Sequence, residues 1–502
     1  MEKDEIMKKI IFALLLVFIL ANISFAEVKK EYYPSGKLFS ISNYIKGKKE
    51  GLSKVFYENG KLKMEANFVN GKLVGKCKIY YKNGQLEEEA NFDNNNNLEG
   101  VSKVYYETGE LEQETNYLDG KLAGVGKKYY KNGQIKEEAN FDNDQLEGIR
   151  KFYYENGELQ QETNYIADNL AGVSKLYYEN GQLKEEANYV NGQPEGVFKA
   201  YYENGQIKEA SNFINGKKDG LSKLYSENGQ LSGEGKYIKG NREGIWKTYY
   251  ENGQLQFEGT FVNDKLEGLC KSYYENGQLE EEANYVADKL NGIWRNYYKS
   301  SQLKAEANYL NGKLEGLCRS YYENGQLEEE TNYVADKLNG TWKNYYNSGQ
   351  LKEEANYAAD KLNGIWKNYY KSGQLKGEAS YINGKLEGVY KNYYENGQLE
   401  EEANYVADKL NGTWKNYYKS GQLKGEANYI NGKLEGLYKN YYENGQLKEE
   451  FNYVNDKLEG VSNQYWKDTG FIAYKIYYKK GIKVRQITYN KYGKILGDQK
   501  IE

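Results

Sequence analysis

One period governs this chain. A pair of aromatic residues, reduced to Tyr225-Ser226 in one case, opens a unit at Tyr32, Phe56 and Tyr80, and again from Tyr105 to Tyr465, and every spacing is 24 residues except the 25 between Tyr80 and Tyr105. Nineteen units result. Side chains of a β-strand alternate faces with period two, so an even repeat returns each column of residues to the same face of a sheet. The odd unit holds the run Asn94 to Asn97, where a loop can absorb one residue without inverting the strands.

Within the unit Val389 to Val406, Asn396-Gly397 separates a Tyr-rich segment from an alternating one. Asn-Gly is the strongest short hairpin cue, because both central residues of a type I′ turn need positive φ. Such a turn places Lys391 opposite Glu402, Tyr390 opposite Ala403 and Tyr394 opposite Leu399. The Lys391 column is basic in nearly every unit (Lys54, Lys247, Arg295, Lys415) and the facing column acidic (Glu65, Glu258, Glu306, Glu426), a favourable cross-strand pairing. The Tyr390 column carries Phe198, Trp246, Trp294, Trp342, Trp366 and Trp414, and faces small residues. Bulk also compensates along the strand: Ser53 goes with Val55, and Trp366 with Asn368. A glycine at constant offset (Gly268, Gly292, Gly388, Gly412) fits a bulge or a close backbone approach.

Recurrent Gly and Asn with period-two apolar positions nearly exclude helices. The expected fold is all-β: an elongated, single-layer, twisted antiparallel meander of about nineteen 24-residue β-hairpin repeats. The 502 residues contain 55 Tyr and 54 Gly but only two Pro, which suits a thin Tyr-rich sheet rather than a thick aliphatic core. With no His at all, histidine triads, metal sites and acid/base catalysis fall away. Sixty-nine basic against 73 acidic residues give a formal charge of −4, so no footprint for a phosphate backbone exists and nucleic acid is not an expected partner.

The N-terminus has the layout of a secretory signal: Met7-Lys8-Lys9, an apolar run from Ile10 to Leu20, then Ser24-Phe25-Ala26. Cleavage is expected after Ala26, with an uncleaved membrane anchor as the minor alternative, and the product is expected in the periplasm, at the cell surface or secreted. The resulting division is 1–26 signal peptide, 27–464 repeat array and 465–502 diverged C-terminal repeat and cap. The basic residues of that end, Lys475, Lys479, Lys480, Lys483, Arg485, Lys491 and Lys494, read as an edge whose charges discourage further strand pairing.

The units, with Tyr-Tyr-Glu-Asn-Gly-Gln-Leu at 393–399 and Gly-Lys-Leu-Glu-Gly at 432–436, resemble the variant MORN (membrane occupation and recognition nexus) repeat over about residues 32–488. Bacterial chains of this look are grouped as YwqK-family antitoxins, so the resemblance implies a toxin as one alternative partner. It also brings the label of phosphatidylinositol-phosphate kinase, carried by plant enzymes with MORN repeats. No segment here is left for a kinase domain, and no phosphate loop or catalytic-loop motif is present.

Candidate chemistry is sparse. Glu400-Glu401-Glu402 could pair carboxylates, but strand geometry sends neighbours to opposite faces. Cys77, Cys270 and Cys318 occupy the Trp column, and even Cys270 and Cys318 stand two hairpins apart, roughly 19 Å at about 4.8 Å per strand, so they read as free structural thiols. The sequence therefore points to no catalytic, cofactor or metal residue. It points to an exported, non-enzymatic scaffold for a protein partner or an envelope component, with Trp246, Trp294, Trp342, Trp366 and Trp414 as the candidate interaction surface. An antitoxin or immunity protein is the alternative.

Overall fold

The computed structural model describes residues 2–21 and 26–501. After one helix, Glu2–Ala21, the described residues form one open antiparallel sheet of 50 strands, the two-residue pieces beside the glycines counting separately. Ser24 and Phe25 of the expected cleavage site lie outside the described residues. Among the described residues no helix is long and apolar enough to cross a membrane.

The unit around Val389 to Val406 shows how sequence becomes sheet. Strand Leu399–Val406 pairs with Lys385–Tyr393 on one side and Lys409–Tyr417 on the other. Lys391 faces Glu402 and Tyr390 faces Ala403, as the columns require. Leu399, however, faces Tyr393 rather than Tyr394. The Asn396-Gly397 turn is not type I′: the N–H of Gly397 bonds the Tyr394 carbonyl, that of Tyr394 bonds the Gln398 carbonyl, and only Gly397 has positive φ. The loop thus has three residues, a type I turn closed by a glycine bulge. The register shift beside Asn392 leaves Glu400 as an extra residue in the facing strand, so parity is restored and the charge columns stay aligned.

The type I′ turns sit on the other connection, between hairpins. Asn383-Gly384 and Ala407-Asp408 both have two residues at positive φ. For Ala407 and Asp408 that conformation is costly, and bonds to the preceding repeat hold it. The N–H of Ala407 donates to Glu387 Oε2 (2.8 Å), and Asp408 Oδ1 accepts from the N–H of Leu386 (2.7 Å). Gly412, with φ of 109°, lies opposite a register shift in Leu399–Val406, the bulge expected there. In the 25-residue unit, Asp93 Oδ1 accepts from the N–H groups of Asn95 and Asn97 and closes a longer loop, so the added residue stays out of the strands.

The contacts fall into two units, residues 1–242 and 243–502. In the first, the buried row consists of small residues such as Ser53, Ala66, Ser102, Thr163 and Ser222. The hydroxyls of Ser211 and Ser222 are 2.6 Å apart between neighbouring hairpins. In the second, alanines fill the row: Ala355, Ala379 and Ala403 are each no more than 2% exposed. Trp366 lies between two of them, facing Ala355 on one strand and Ala379 on the next. A single layer buries its smallest residues, because a small side chain is the one its larger neighbours can cover from one side. The 482–500 segment adds a further hairpin, Ile482–Tyr489 with Ile495–Lys500, whose turn repeats the bond pattern at Asn490 and Gly493.

A ladder that the sequence does not announce links hairpin to hairpin. The second tyrosine of a pair donates its hydroxyl to the backbone carbonyl of the residue that opens the next pair, as Tyr370 does to Tyr393 and Tyr394 to Tyr417, both at 2.9 Å. Each such bond contributes about 1 kcal/mol. Tyr394→Phe is expected to cost about that much, and Tyr346→Phe with Tyr394→Phe about twice as much, since sites so far apart add. Thermal melts of the two variants measure it, and a neutral double variant would show that the ladder carries no stability.

Candidate aromatic binding face

Alternation places Tyr390 and Asn392 on one face with Glu401, Ala403 and Tyr405, and Val389, Lys391 and Tyr393 on the other with Glu402 and Asn404. The two faces differ in chemistry.

The charged face carries the Lys and Glu columns. In residues 1–242 most of the column reaches the Glu of its own hairpin, as Lys54 does Glu65 (3.8 Å) and Lys151 does Glu162 (3.4 Å), whereas Lys199 faces Ala210. In residues 243–502, Lys391 reaches Glu378 (3.8 Å) and Lys439 reaches Glu426 (3.5 Å), both in the preceding hairpin. Arg319 spans both directions, to Glu306 and Glu330. These are partly exposed pairs, each worth little alone. In several repeats the first tyrosine of the pair adds a bond: Tyr417 donates to Glu402 at 2.9 Å and Tyr441 to Glu426 at 2.8 Å. Burial, joined by the charge and hydrogen bond of the glutamate, pushes these phenols up to about 12. Two aliphatic rows also stand on this face, exemplified by Val389 (47% exposed) and Ile382 (56%). Sequence reading did not single them out.

The other face is aromatic. Beside the Trp column runs a second column, occupied by Tyr or Phe throughout, including Tyr333, Tyr357, Tyr381 and Tyr405. Trp342 meets Tyr357 edge to face at 6.4 Å, and Tyr390 meets Tyr405 at 6.0 Å. Three indoles are fixed by the acid cluster of the preceding hairpin: Nε1 of Trp342 donates to Glu329 (2.7 Å), that of Trp366 to Glu353 (2.5 Å) and that of Trp414 to Glu401 (2.6 Å). Glu401 and Glu402 therefore serve different faces, and Glu400 occupies the bulge. Among the described residues no group of Asp, Glu or Cys is placed to hold a metal ion.

Of the five candidate tryptophans, Trp246 is buried at 7% exposure, while Trp294, Trp342, Trp366 and Trp414 are half-buried. Where the column holds Cys318 instead, a cleft of about 240 Å³ opens, walled by Trp294, Tyr309 and Tyr333 and floored by Thr331. Cys77, Cys270 and Cys318 are free thiols, and burial pushes all three up from the ordinary thiol value, the reverse of what a nucleophile needs.

Comparison with a family model agrees with this architecture. The family described as MORN repeat variant matches eighteen segments of the chain, from 28–46 to 434–455, nearly end to end. No curated protein matches the sequence. Solved structures of TcdB2-TccC3-Cdc42 and of TcdB2-TccC3 without its hypervariable C-terminal region are similar at 11% identity over 95% of this chain, with a TM-score of 0.13. The chain spans about a third of their length, 31% in each case.

Proposed function

Because the chain belongs to the MORN repeat variant family, we propose that it is an exported, non-enzymatic repeat scaffold that binds a protein or envelope component through its aromatic face. The repeat-scaffold fold fits a non-enzymatic role. The observation that carries the reading is the fixed posture of three of the half-buried tryptophans, Trp342, Trp366 and Trp414, each held by a carboxylate of the neighbouring hairpin. Trp and Tyr dominate binding hot spots, and rings already held in place lose little freedom when a partner docks. Near-identical hairpins repeat the surface, which favours avidity over a single strong contact. Export rests on the layout of residues 7–26.

Fractionating native cells with an antibody against residues 27–502 is expected to find the chain in the envelope or the medium with Glu27 as its first residue. A cytoplasmic chain that begins at Met1 or Met7, co-purifying with a small toxic neighbour, would replace the proposal with the antitoxin reading. Changing Trp294, Trp342, Trp366 and Trp414 together to Ser, the residue at Ser222 in the same column, should weaken binding to the co-purifying component at least tenfold with far-UV circular dichroism unchanged.

A further inference from the structure

In a chain that repeats so strictly, departures from the repeat are informative, and three converge on one spot of the aromatic face in residues 1–242. Between Ser53 and Ser462 the Trp column lacks a side chain only at Gly126 and is charged only at Arg150. Two positions further along the strand, between Val55 and Gln464, the column is charged only at Lys128. The acidic column alongside becomes Gln113, Glu137, Gln161 where its neighbours Glu88 and Glu185 keep the acid.

The geometry makes these departures one site. Glu137 is 12% exposed and accepts from Lys128 Nζ at 2.9 Å and from Arg150 Nε and Nη2 at 2.9 and 2.6 Å. Burial alone would push its carboxyl up, but those hydrogen bonds outweigh it and hold the group below its usual range. The guanidinium stacks over Phe152 at 4.5 Å. Over Gly126 a cleft of about 260 Å³ opens, bounded by Thr115, Tyr117, Lys128, Glu137, Ala139 and Phe141. A Cβ on Gly126 would come within 3.2 Å of the Phe141 ring and 3.6 Å of the Thr115 methyl, so the missing side chain is what lets the Phe141 ring lean over the strand as a wall of the cleft. Gln113 turns its amide onto Thr115 (2.8 Å).

Two cations against one carboxylate leave a positive charge at the rim of an aromatic-walled cleft. Together an ammonium and a guanidinium carry eight N–H donors, more than one carboxylate can accept. The volume falls just below the roughly 300–1,000 Å³ of ordinary ligand clefts, which restricts the occupant to a small molecule. We infer that this cleft binds a small aromatic carboxylate, its ring between Tyr117 and Phe141 and its carboxylate on Lys128, with Arg150 beyond Glu137 giving the three charged groups their net positive charge. The site is independent of the scaffold reading, because it uses none of the repeated tryptophans.

The test is fluorine NMR of 4-fluorobenzoate with the full chain, with uncharged 4-fluorobenzamide as the comparison. Saturable broadening of the acid is expected, with the amide at least tenfold weaker. Gly126→Phe, which restores the residue at Phe198 of the same column, should abolish binding. Arg150→Ser, matching Ser102 and Ser174, should weaken it at least tenfold. If Gly126→Phe proves unstable in a thermal melt, Gly126→Ser serves instead and should weaken binding at least threefold. No saturable broadening, equal binding of acid and amide, or unchanged binding by the Gly126 variant that folds would overturn the inference.

Discussion

Removing residues 321–368 should leave a folded protein, and removing 321–367 should not. The 48-residue deletion joins Ser320 to Tyr369, two neighbours in the same column order as Ser320 and Tyr321. Tyr298, which now donates to the Tyr321 carbonyl, finds the Tyr369 carbonyl in the same place. Cys318 then faces Ala379 instead of Thr331, one small residue for another. Nearest-neighbour energetics make the loss of two repeats nearly neutral for those that remain, so the melting temperature should move by no more than about 4 °C, roughly what 1 kcal/mol shifts in a unit of this size. Leaving Asn368 in place adds one residue to a strand, turning the Trp column to the charged face and the Lys column away from its glutamates. Melting should fall far more, or the cooperative transition vanish. Circular dichroism melts of both deletions decide it, and equal damage from both would defeat the parity argument.

Alkaline solution should lower the melting temperature between about pH 10 and 12. Burial first, and then the neighbouring glutamates, push Tyr80, Tyr369, Tyr393, Tyr417, Tyr441 and Tyr465 up to about 12. An unfolded tyrosine loses its proton near 10. Between those values the folded chain holds more protons than the unfolded one, so stability falls as pH rises. The contribution is fully present below 10 and gone above 12. Five of the six phenols lie in residues 243–502. They are partly exposed, so solvent screening trims each shift; half of each would still total several kcal/mol, on the order of 10 °C in melting temperature. Absorbance at 295 nm should show ordinary tyrosines ionising near 10 and a second class ionising only as the sheet melts. Glu402→Gln should bring Tyr417 only part of the way toward the earlier class, since burial, the larger cause of its shift, remains. Unchanged melting between pH 9.5 and 11.5 would refute the linkage.

Both outcomes depend on how far the columns could be read from the chain. The Lys391–Glu402 and Tyr390–Ala403 pairings were legible because an even period admits only one consistent assignment of faces. The Asn396-Gly397 turn was misread for a physical reason: a three-residue loop with one compensating bulge at Glu400 yields the same strand parity as a two-residue turn. No column pattern separates the two. The type I′ turn at Ala407-Asp408 lacks the Gly or Asn that would announce it, and its positive φ values persist because Glu387 and Leu386 of the preceding repeat bond to it.

The candidate surface divides in the same way. That Trp366 would meet small residues followed from its column, whereas its bond to Glu353 joins residues 13 apart on adjacent hairpins and depends on side-chain reach. The burial of Trp246 beside half-buried Trp294 likewise depends on what each neighbour contributes. The amino-acid sequence by itself determined the period, the faces and the family, because strand alternation converts a 24-residue repeat directly into columns. Only the tertiary structure decided the Asn396-Gly397 loop, whose bulge leaves strand parity unchanged, and the Tyr394-type staples and the cleft at Gly126, because these arise between repeats, where distances rather than order choose the partner.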